Sequence, residues 1–476
     1  MQSGRVDLSF CETPRRYYDQ HGVTAKMATA VDWRVKFGFV TLPIAHSAGF
    51  NVVMLLAFRF FTDNLAISAA AAGFLFAVVK VYDGLLDPAV GAWTDRFKSR
   101  WGRRLPFVAA GGVMMVGGVL MVFSPPDIAS PLLMKIFLGF ALLLHATGYT
   151  ALTIPGLAML VEASKDYHAR TTLMAWRVFG NSIGVVIGST MPALLLVYWG
   201  AGRQGHTNMA MMVAGAVALA TVLTLLTLAN APRTTPDADA EAVRYRLKDQ
   251  IKLAWDNHPF RLLAFAHMFV LAGTAVTSAA GAYFTRYVLD LPDSYLGSYY
   301  MVAMIGSVAT MPAWVWFSRK VGKKGAYITA MASYGIMHLL WFTATKGEAM
   351  ELLGFRALLT GIAAGGMILT SYSMMTDAVR FDYLRSGLRR EGAFAGFTTL
   401  LDKLSAAAGI ALMGFFLQYR GYAATINAAD ASQPDSAVNA ILICLTIVPF
   451  VAMICAGLIV SRYRLDEEDL LEPGQA

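Results

Sequence analysis

Two aspartates inside a long apolar segment constrain this chain more than any other feature. Asp83 and Asp87 follow an apolar run at 69–79 and stand four residues apart, so both carboxylates fall on one face of a helix. An uncompensated carboxylate inside a bilayer costs about 3 kcal/mol on insertion scales. A cation that binds and leaves would compensate the pair. The two aspartates therefore predict ion-coupled transport.

Composition and segment length predict an all-α membrane protein. Hydrophobic residues make up 57% of the chain and charged residues 15%, a balance unlike that of soluble proteins. Twelve apolar segments are long enough to cross a hydrocarbon core of about 30 Å, which leaves no soluble domain of any size. They centre near Leu55, Val79, Met114, Leu142, Val185, Ala218, Phe269, Met304, Ser333, Leu358, Leu412 and Val448.

The net charge of +8 is concentrated in alternate loops. Basic residues gather at 96–104, 319–324 and 380–390, whereas the intervening loops carry little beyond Arg203 and Lys346. This positive-inside pattern predicts a multi-pass protein of the plasma (inner) membrane with both termini cytoplasmic. It also argues against a nucleic-acid partner. The three cysteines imply no disulfide framework.

A polar segment at 231–257 divides the predicted helices into six and six. The sequence therefore predicts a cytoplasmic arm at 1–32, helical bundles at 33–230 and 258–463, the central loop between them, and a cytoplasmic tail at 464–476. Weak similarity between the two halves indicates parallel repeats. Six plus six helices in parallel repeats are the plan of the major facilitator fold, which holds its solute between the halves.

The loop after the second predicted helix indicates a cytoplasmic gate. Asp95 and Arg96 precede Arg103 and Arg104, and an acid with nearby arginines can bridge neighbouring helix ends. Asp377 is assigned to the same gate from the second half. The alternative is an ordinary basic loop, and the helix count favours the gate.

Motifs for catalysis are missing from the sequence. It contains no phosphate-binding loop, no Cys/His metal spacing and no nucleophile elbow. We therefore expect a protein that is not an enzyme and that needs no cofactor beyond a coupling ion, Na⁺ or H⁺.

Four motifs, in order and at matching separations, give the chain a resemblance to a known family. They are 82–91 with 100–103; Ile154-Pro155 followed by Asp166, Arg170 and Arg177; Asp377-Ala378-Val379 with Asp382-Tyr383; and Arg390-Glu391-Gly392 leading to Lys403. With them the chain resembles the glycoside–pentoside–hexuronide:cation symporters of the major facilitator superfamily, of which melibiose permease is the best-known type. The resemblance covers nearly all of the membrane region.

The resemblance implies roles for particular residues. Asp83 and Asp87 would bind the cation, as Na⁺ ligands if sodium is the coupling ion, and Thr150 would add a hydroxyl oxygen. Lys403 would approach these acids and neutralise them when no cation is bound. Residues matching the family's solute-binding or cavity-lining positions are Arg177 and Tyr149.

Departures from the family pattern concern the solute and the ion. Where melibiose-type members carry sugar-binding acids, this chain has Ser47, beside His46, and Thr153. These residues are assigned to the solute site, but their chemistry argues against a simple galactoside. Leu86 stands where an asparagine is usual, which removes a possible sodium ligand and favours a proton. The ion stays open between the two.

Structural interpretations compete with several of these assignments. Asp83 and Asp87 could pair internally with Lys80, Arg177 could be an interfacial anchor, and Thr150 could bond to its own helix. Histidines in the membrane segments more often serve as polar packing groups than as proton relays; here they are His46, His145, His267 and His338, with His46 set apart by its place on the cavity-facing stretch of helix one. Asp402 has no assignment.

The sequence as a whole predicts a monomeric, cation-coupled symporter that works by alternating access. Its solute is a small molecule, by resemblance a sugar, glycoside or oligosaccharide. Two alternatives stay open. Because distant relatives of the family move lysolipids, the cargo could be a lysolipid or another amphiphile. A membrane sensor that transports nothing is the other alternative, although no signalling domain is visible.

Overall fold

Twelve helices make up the computed structural model of this chain, which describes residues 32–163, 167–229, 231, 252, 255–292, 294–387, 390–425, 432–465 and 469. The helices are α1 Trp33–Asn64, α2 Ala69–Arg96, α3 Leu105–Phe123, α4 Pro131–Glu162, α5 Tyr167–Trp199, α6 Arg203–Leu228, α7 His258–Val288, α8 Ser294–Ala309, α9 Met311–Leu340, α10 Met350–Ser386, α11 Glu391–Tyr419 and α12 Asp435–Val460. The predicted arm, central loop and tail lie almost entirely outside the described residues, so the domain boundaries stay predictions.

Each predicted apolar centre falls in its own helix. Ten helices are long and apolar enough to cross a membrane, and α8 with α9 passes the same test as a pair bent by 48°. Gly322 interrupts α9 with a backbone φ of +76°, a conformation that glycine adopts without strain. Residues 311–321 therefore extend α8, and the part of α9 after Gly322 is the ninth predicted segment. The prediction of an all-α membrane fold is confirmed.

Helix starts follow from capping side chains placed before apolar runs. Ser68 accepts a hydrogen bond from Ala71 N, and Asn257 accepts one from Phe260 N, at the starts of α2 and α7. Such caps satisfy backbone N–H groups that have no partner inside the helix. Pro88 lies within α2, where its missing N–H leaves the Gly84 carbonyl without the usual helical donor.

The helices form two bundles of six. In the first, α1 packs on α5 and α6, and α3 and α4 pack on each other; in the second, α7 packs on α11 and α12, and α10 packs on α8 and α9. The bundles meet through α2 with α11 and α5 with α8. Gly73 and Gly414 let α2 and α11 approach closely, because a Cβ on Gly414 would lie 3.0 Å from Gly73 Cα.

The buried core shows where the bundles join. We call the face with residues 96–104 and 319–324, Arg385 and Arg390 the basic side, and the other face the opposite side. On the opposite side one apolar core contains residues of both bundles, among them Phe61, Tyr283 and Tyr422. Toward the basic side each bundle has a separate core. The bundles are therefore closed against each other on the opposite side and part toward the basic side.

Candidate cation and solute site

The two aspartates of α2 form a compact cluster with one residue of α4 and one of α11. The Thr150 hydroxyl is 3.0 Å from Asp83 Oδ1 and 2.9 Å from Asp87 Oδ1. The Lys403 ammonium is 3.0 Å from Asp83 Oδ2 and 2.6 Å from Asp87 Oδ2. It also donates to the Asp83 carbonyl. The four residues assigned to the cation site therefore lie together.

Burial makes the charge of this cluster costly. Asp83 is 3% exposed, and the side chains of Asp87 and Lys403 are each 13% exposed. Two carboxylates and one ammonium lie together in a poorly solvated place, and the Lys80 ammonium also acts electrostatically on both carboxylates. A glycine makes the approach of α11 possible, because a Cβ on Gly84 would lie 3.1 Å from Leu400.

The structural alternative for Asp83 and Asp87 is an internal ion pair with Lys80, but the Lys80 ammonium points to another group. It lies 4.6 Å from the ring centroid of Phe50, a cation–π distance. The described ion pairs of Asp83 and Asp87 both go to Lys403. The geometry therefore favours a link between the two bundles over an internal pair on α2.

Residues assigned to the solute site surround Tyr149 in the first bundle. The Tyr149 ring contacts the rings of His46 and Phe50, at centroid distances of 5.8 and 4.8 Å. Arg177 is near enough to act electrostatically on both His46 and Tyr149. Helices α1, α4 and α5 therefore contribute side chains to one polar region.

Ser47 and Thr153 already have hydrogen-bond partners. The Ser47 hydroxyl donates to Asn181 Oδ1 at 2.5 Å and lies 3.2 Å from His46 Nδ1. Thr153 donates to the Tyr149 carbonyl of its own helix. Sequence reasoning missed Asn181, because a lone asparagine on a helix gives no signal until α5 is packed on α1.

The membrane histidines divide into two kinds. His145 lies 2.9 Å from the Gly49 carbonyl, and His338 lies 2.9 Å from the Tyr334 carbonyl, as expected of packing groups. His267 differs because its Nε2 lies 3.1 Å from a carboxylate oxygen of Asp402. The sequence left Asp402 without an assignment and did not predict its contact with His267.

Residues assigned to the gate make their described contacts within one bundle. Arg103 and Arg104 lie 2.6 and 3.2 Å from Glu162 at the end of α4. Asp377 is 2.5 Å from Lys323. Arg96 ends α2, and the side chain of Asp95 lies outside what the structure describes. Glu162, which sequence reasoning missed, is the acid that both arginines reach.

A polar network joins the bundles on the opposite side. Asp63, 1% exposed near the end of α1, accepts hydrogen bonds from the hydroxyls of Tyr287 and Tyr422. Thr62 is 2.8 Å from the Tyr283 hydroxyl. Two backbone hydrogen bonds extend the network: Thr425 N–H donates to the Thr62 carbonyl, and Ala66 N–H donates to the Thr425 carbonyl. No sequence motif predicted this network.

A cavity of about 300 Å³ lies between the bundles below this network. Its lining comes from α1 and α5 on one side and from α7 to α10 on the other, and includes Asn51, Ser189, Ser278, Tyr299, Tyr300 and Tyr334. Hydroxyls and aromatic rings in one cavity suit an organic solute with polar groups.

Comparison with known proteins decides the family. A profile described as MFS/sugar transport protein matches residues 38–467. The chain belongs to this family. It is therefore a multi-pass membrane transporter and not an enzyme, and the resemblance drawn from the four sequence motifs is confirmed.

Curated relatives align over nearly their whole length. The chain is 26% identical over 435 residues to the inner membrane symporter YicJ of Escherichia coli, covering 90% of this chain and 91% of the relative. It is 24% identical to the isoprimeverose transporter of Lactiplantibacillus pentosus, covering 92% and 90%. The putative glycoside/cation symporter YagG of Escherichia coli is 26% identical, with 92% and 93% covered.

Solved structures share the fold at low sequence identity. A bacterial homologue of the human lysosomal transporter Spinster, inward-facing and unoccupied, has a TM-score of 0.66 at 13% identity, covering 91% of this chain and 98% of that one. The nucleoside transporter NupG has a TM-score of 0.62 at 14% identity, covering 90% and 100%. Both likenesses concern the fold alone.

Proposed function

We propose that this transporter is a cation-coupled symporter for a sugar or glycoside, driven by Na⁺ or H⁺, in the plasma (inner) membrane with both termini cytoplasmic. The observation that carries the proposal is the buried cluster of Asp83, Asp87, Thr150 and Lys403. The matching family profile is one of sugar transport, and relatives are named as symporters or as an isoprimeverose transporter.

The charge of the cluster supplies a reason to bind one monovalent cation. Asp83 and Asp87 share the Lys403 ammonium, so a bound cation can take over the compensation of their buried charge that Lys403 supplies. A cation held directly by Asp83 and Asp87 weakens their hold on Lys403. The cluster therefore acts as a binding site whose occupancy changes a contact between the bundles.

The position of that contact connects cation binding to alternating access. Lys403 belongs to α11 of the second bundle and both aspartates belong to α2 of the first, and these two helices form one of the two main contacts between the bundles. Transporters of this fold rock one bundle against the other around a central site. Loss of the Lys403 contact on cation binding would lower the barrier to that motion.

The test is uptake by the purified protein in liposomes under imposed gradients of sodium or of protons. The solutes are isoprimeverose, xylose, glucose and a lysophospholipid. We expect one sugar to accumulate under one gradient and Asp87→Asn to abolish the accumulation, because the variant removes the charge that the cation compensates. Asp127→Asn is the matched control, since the Asp127 side chain is 93% exposed in a loop of the opposite side.

The outcomes separate coupling from cargo. Gradient-driven sugar accumulation that survives in Asp87→Asn would contradict the coupling role of the cluster. Movement of the lysophospholipid, without any sugar, would keep the coupling and replace the cargo. The gradient that drives uptake identifies the ion.

A further inference from the structure

The second bundle holds a cavity whose polar groups the cation site does not use. Its volume is about 510 Å³, and it lies between α7, α10 and α11 toward the basic side. Polar residues of its lining include His267, Ser371, Tyr372, Arg380, Thr399 and Asp402. A monosaccharide or a disaccharide fits in such a volume.

Asp402 is the carboxylate available to a ligand in this cavity. Its side chain is 33% exposed and one oxygen is 3.1 Å from His267 Nε2. In the described membrane segments the other interior acids have close partners: Asp63 accepts from two tyrosines, and Asp83 and Asp87 hold Lys403 and Thr150. Asp402 therefore retains lone pairs that face the cavity.

His267 lies between Ser371 and Asp402. The Ser371 hydroxyl lies 3.2 Å from His267 Nδ1, and Asp402 Oδ1 lies 3.1 Å from Nε2. Asp402 Oδ1 is buried and has no hydrogen-bond partner among the described residues, so its contact with His267 is a close approach without hydrogen-bond geometry. The Asp402 carboxylate is therefore held beside His267 and keeps the capacity to accept hydrogen bonds from a ligand.

The chemistry favours a ligand with neighbouring hydroxyl groups. The two oxygens of a carboxylate accept hydrogen bonds from two adjacent hydroxyls without a change in ligand charge. The Tyr372 ring, 58% exposed beside Asp402 and lining the same cavity, offers an apolar face against which a sugar ring can pack. A vicinal diol on a sugar ring meets both requirements.

Helix α11 carries this cavity and the cation site on adjoining faces. Leu400 and Lys403 face Gly84 of α2, whereas Thr398, Thr399 and Asp402 line the cavity. Adjacent helix residues point about 100° apart. A displacement of Lys403 by the cation would therefore move the helix that presents Asp402.

We propose that Asp402, oriented by His267, binds vicinal hydroxyls of the transported sugar, and that Tyr372 packs against the sugar ring. This inference rests on the proposed function and deepens it. It places the acidic group that recognises the sugar in the second bundle instead of the first. Ser47 and Thr153 of the first bundle, which are occupied by Asn181 and by a helix carbonyl, then contribute no charge.

The test measures binding to the purified full-length chain, without transport. The change in melting temperature is titrated with isoprimeverose, xylose and glucose at saturating sodium and at low pH. We expect Asp402→Asn to weaken the affinity at least tenfold and Asp402→Glu to weaken it less. Removal of one hydroxyl of a diol from the best sugar should reproduce the loss in the wild type. Asp127→Asn should bind like the wild type.

A second measurement leaves the carboxylate in place. Thr399→Cys introduces a thiol into the cavity, and a bound sugar should slow its reaction with a maleimide several-fold. Leu412→Cys, at a position 67% exposed on the outside of α11, should react at the same rate with and without sugar. Equal rates at Thr399→Cys would overturn the site even where Asp402→Asn fails to fold.

The remaining outcomes separate this site from the function it rests on. Unchanged sugar affinity in Asp402→Asn, with gradient-driven uptake intact in the wild type, overturns the site and keeps the function. A pH profile of uptake that shifts in Asp402→Asn while sugar affinity stays constant also overturns it, because the pair would then bind protons. A wild type that neither binds nor takes up any of the sugars overturns both.

Discussion

At the cation site two carboxylates share one lysine, and the lysine therefore acts as a bound counterion. Removing one partner of a buried ion pair destabilises a protein by about 3–5 kcal/mol, because the remaining charge stays buried. In Lys403→Ala both buried carboxylates would lose the ammonium that they contact. We expect this variant to lose much of its stability and to recover it when the coupling cation is added.

The measurement is the melting temperature of Lys403→Ala across sodium concentration and pH. Recovery with sodium at fixed pH identifies a sodium site, and recovery only on acidification identifies a proton site. Lys403→Arg, which keeps the charge, serves as the control and should respond less than Lys403→Ala. Equal cation responses of Lys403→Ala and the wild type would contradict the role of Lys403 as a counterion.

At the same scale, the sequence could predict residues whose chemistry is unusual for their place. Asp83, Asp87 and Lys403 are charges in apolar segments, so each is visible without a structure. Asn181 and Glu162 could not be found in this way, because an asparagine on a helix and an acid at a helix end are ordinary. Their roles depend on Ser47 and Arg103, which are 134 and 59 residues away along the chain.

At the scale of the element, α11 is the helix on which both proposals depend. It contacts α2 closely, and Gly414 is one of the glycines that allow the two helices to pack so tightly. A Cβ on Gly414 would lie 2.5 Å from the Ala69 carbonyl, which is backbone and cannot move aside easily. Overpacking of this kind costs about 1–3 kcal/mol.

We therefore expect Gly414→Ala to lower the melting temperature and to reduce uptake. Gly457→Ala on α12 is the matched control, because a Cβ there meets nothing within 4 Å and alanine favours a helix by up to about 1 kcal/mol over glycine. Uptake and melting temperature are measured for both. A Gly414→Ala protein as stable and active as Gly457→Ala would show that the close approach is not needed.

The sequence could predict where the helices lie, but it could not predict where they break. Apolar length alone placed all twelve segments, because the hydrocarbon core fixes how long a span must be. The bend between α8 and α9 and the turn at Gly322 could not be located, since a single glycine among 42 carries no mark of a positive φ.

At the scale of the molecule, the position of the shared core defines the state of the transporter. On the opposite side, residues of both bundles are buried in one shared core. Toward the basic side, each bundle has a core of its own. The polar network around Asp63 lies at the joined end. We expect it to stabilise this closed arrangement, because its hydrogen bonds cross from one bundle to the other and must break when that side opens.

Tyr422→Phe tests this expectation by removing one hydroxyl that donates to the Asp63 carboxylate. Hydrogen bonds to charged groups contribute about 1.5–3 kcal/mol, so the population open on the opposite side should rise at least tenfold. Ser278→Cys reports the opening, because Ser278 lines the cavity between the bundles. Its reaction with an impermeant maleimide added on the opposite side should accelerate in the Tyr422→Phe background. Tyr419→Phe, at the end of α11 and 85% exposed, should leave the rate unchanged. Equal rates in the Tyr422→Phe and wild-type backgrounds would show that the network does not hold this side closed.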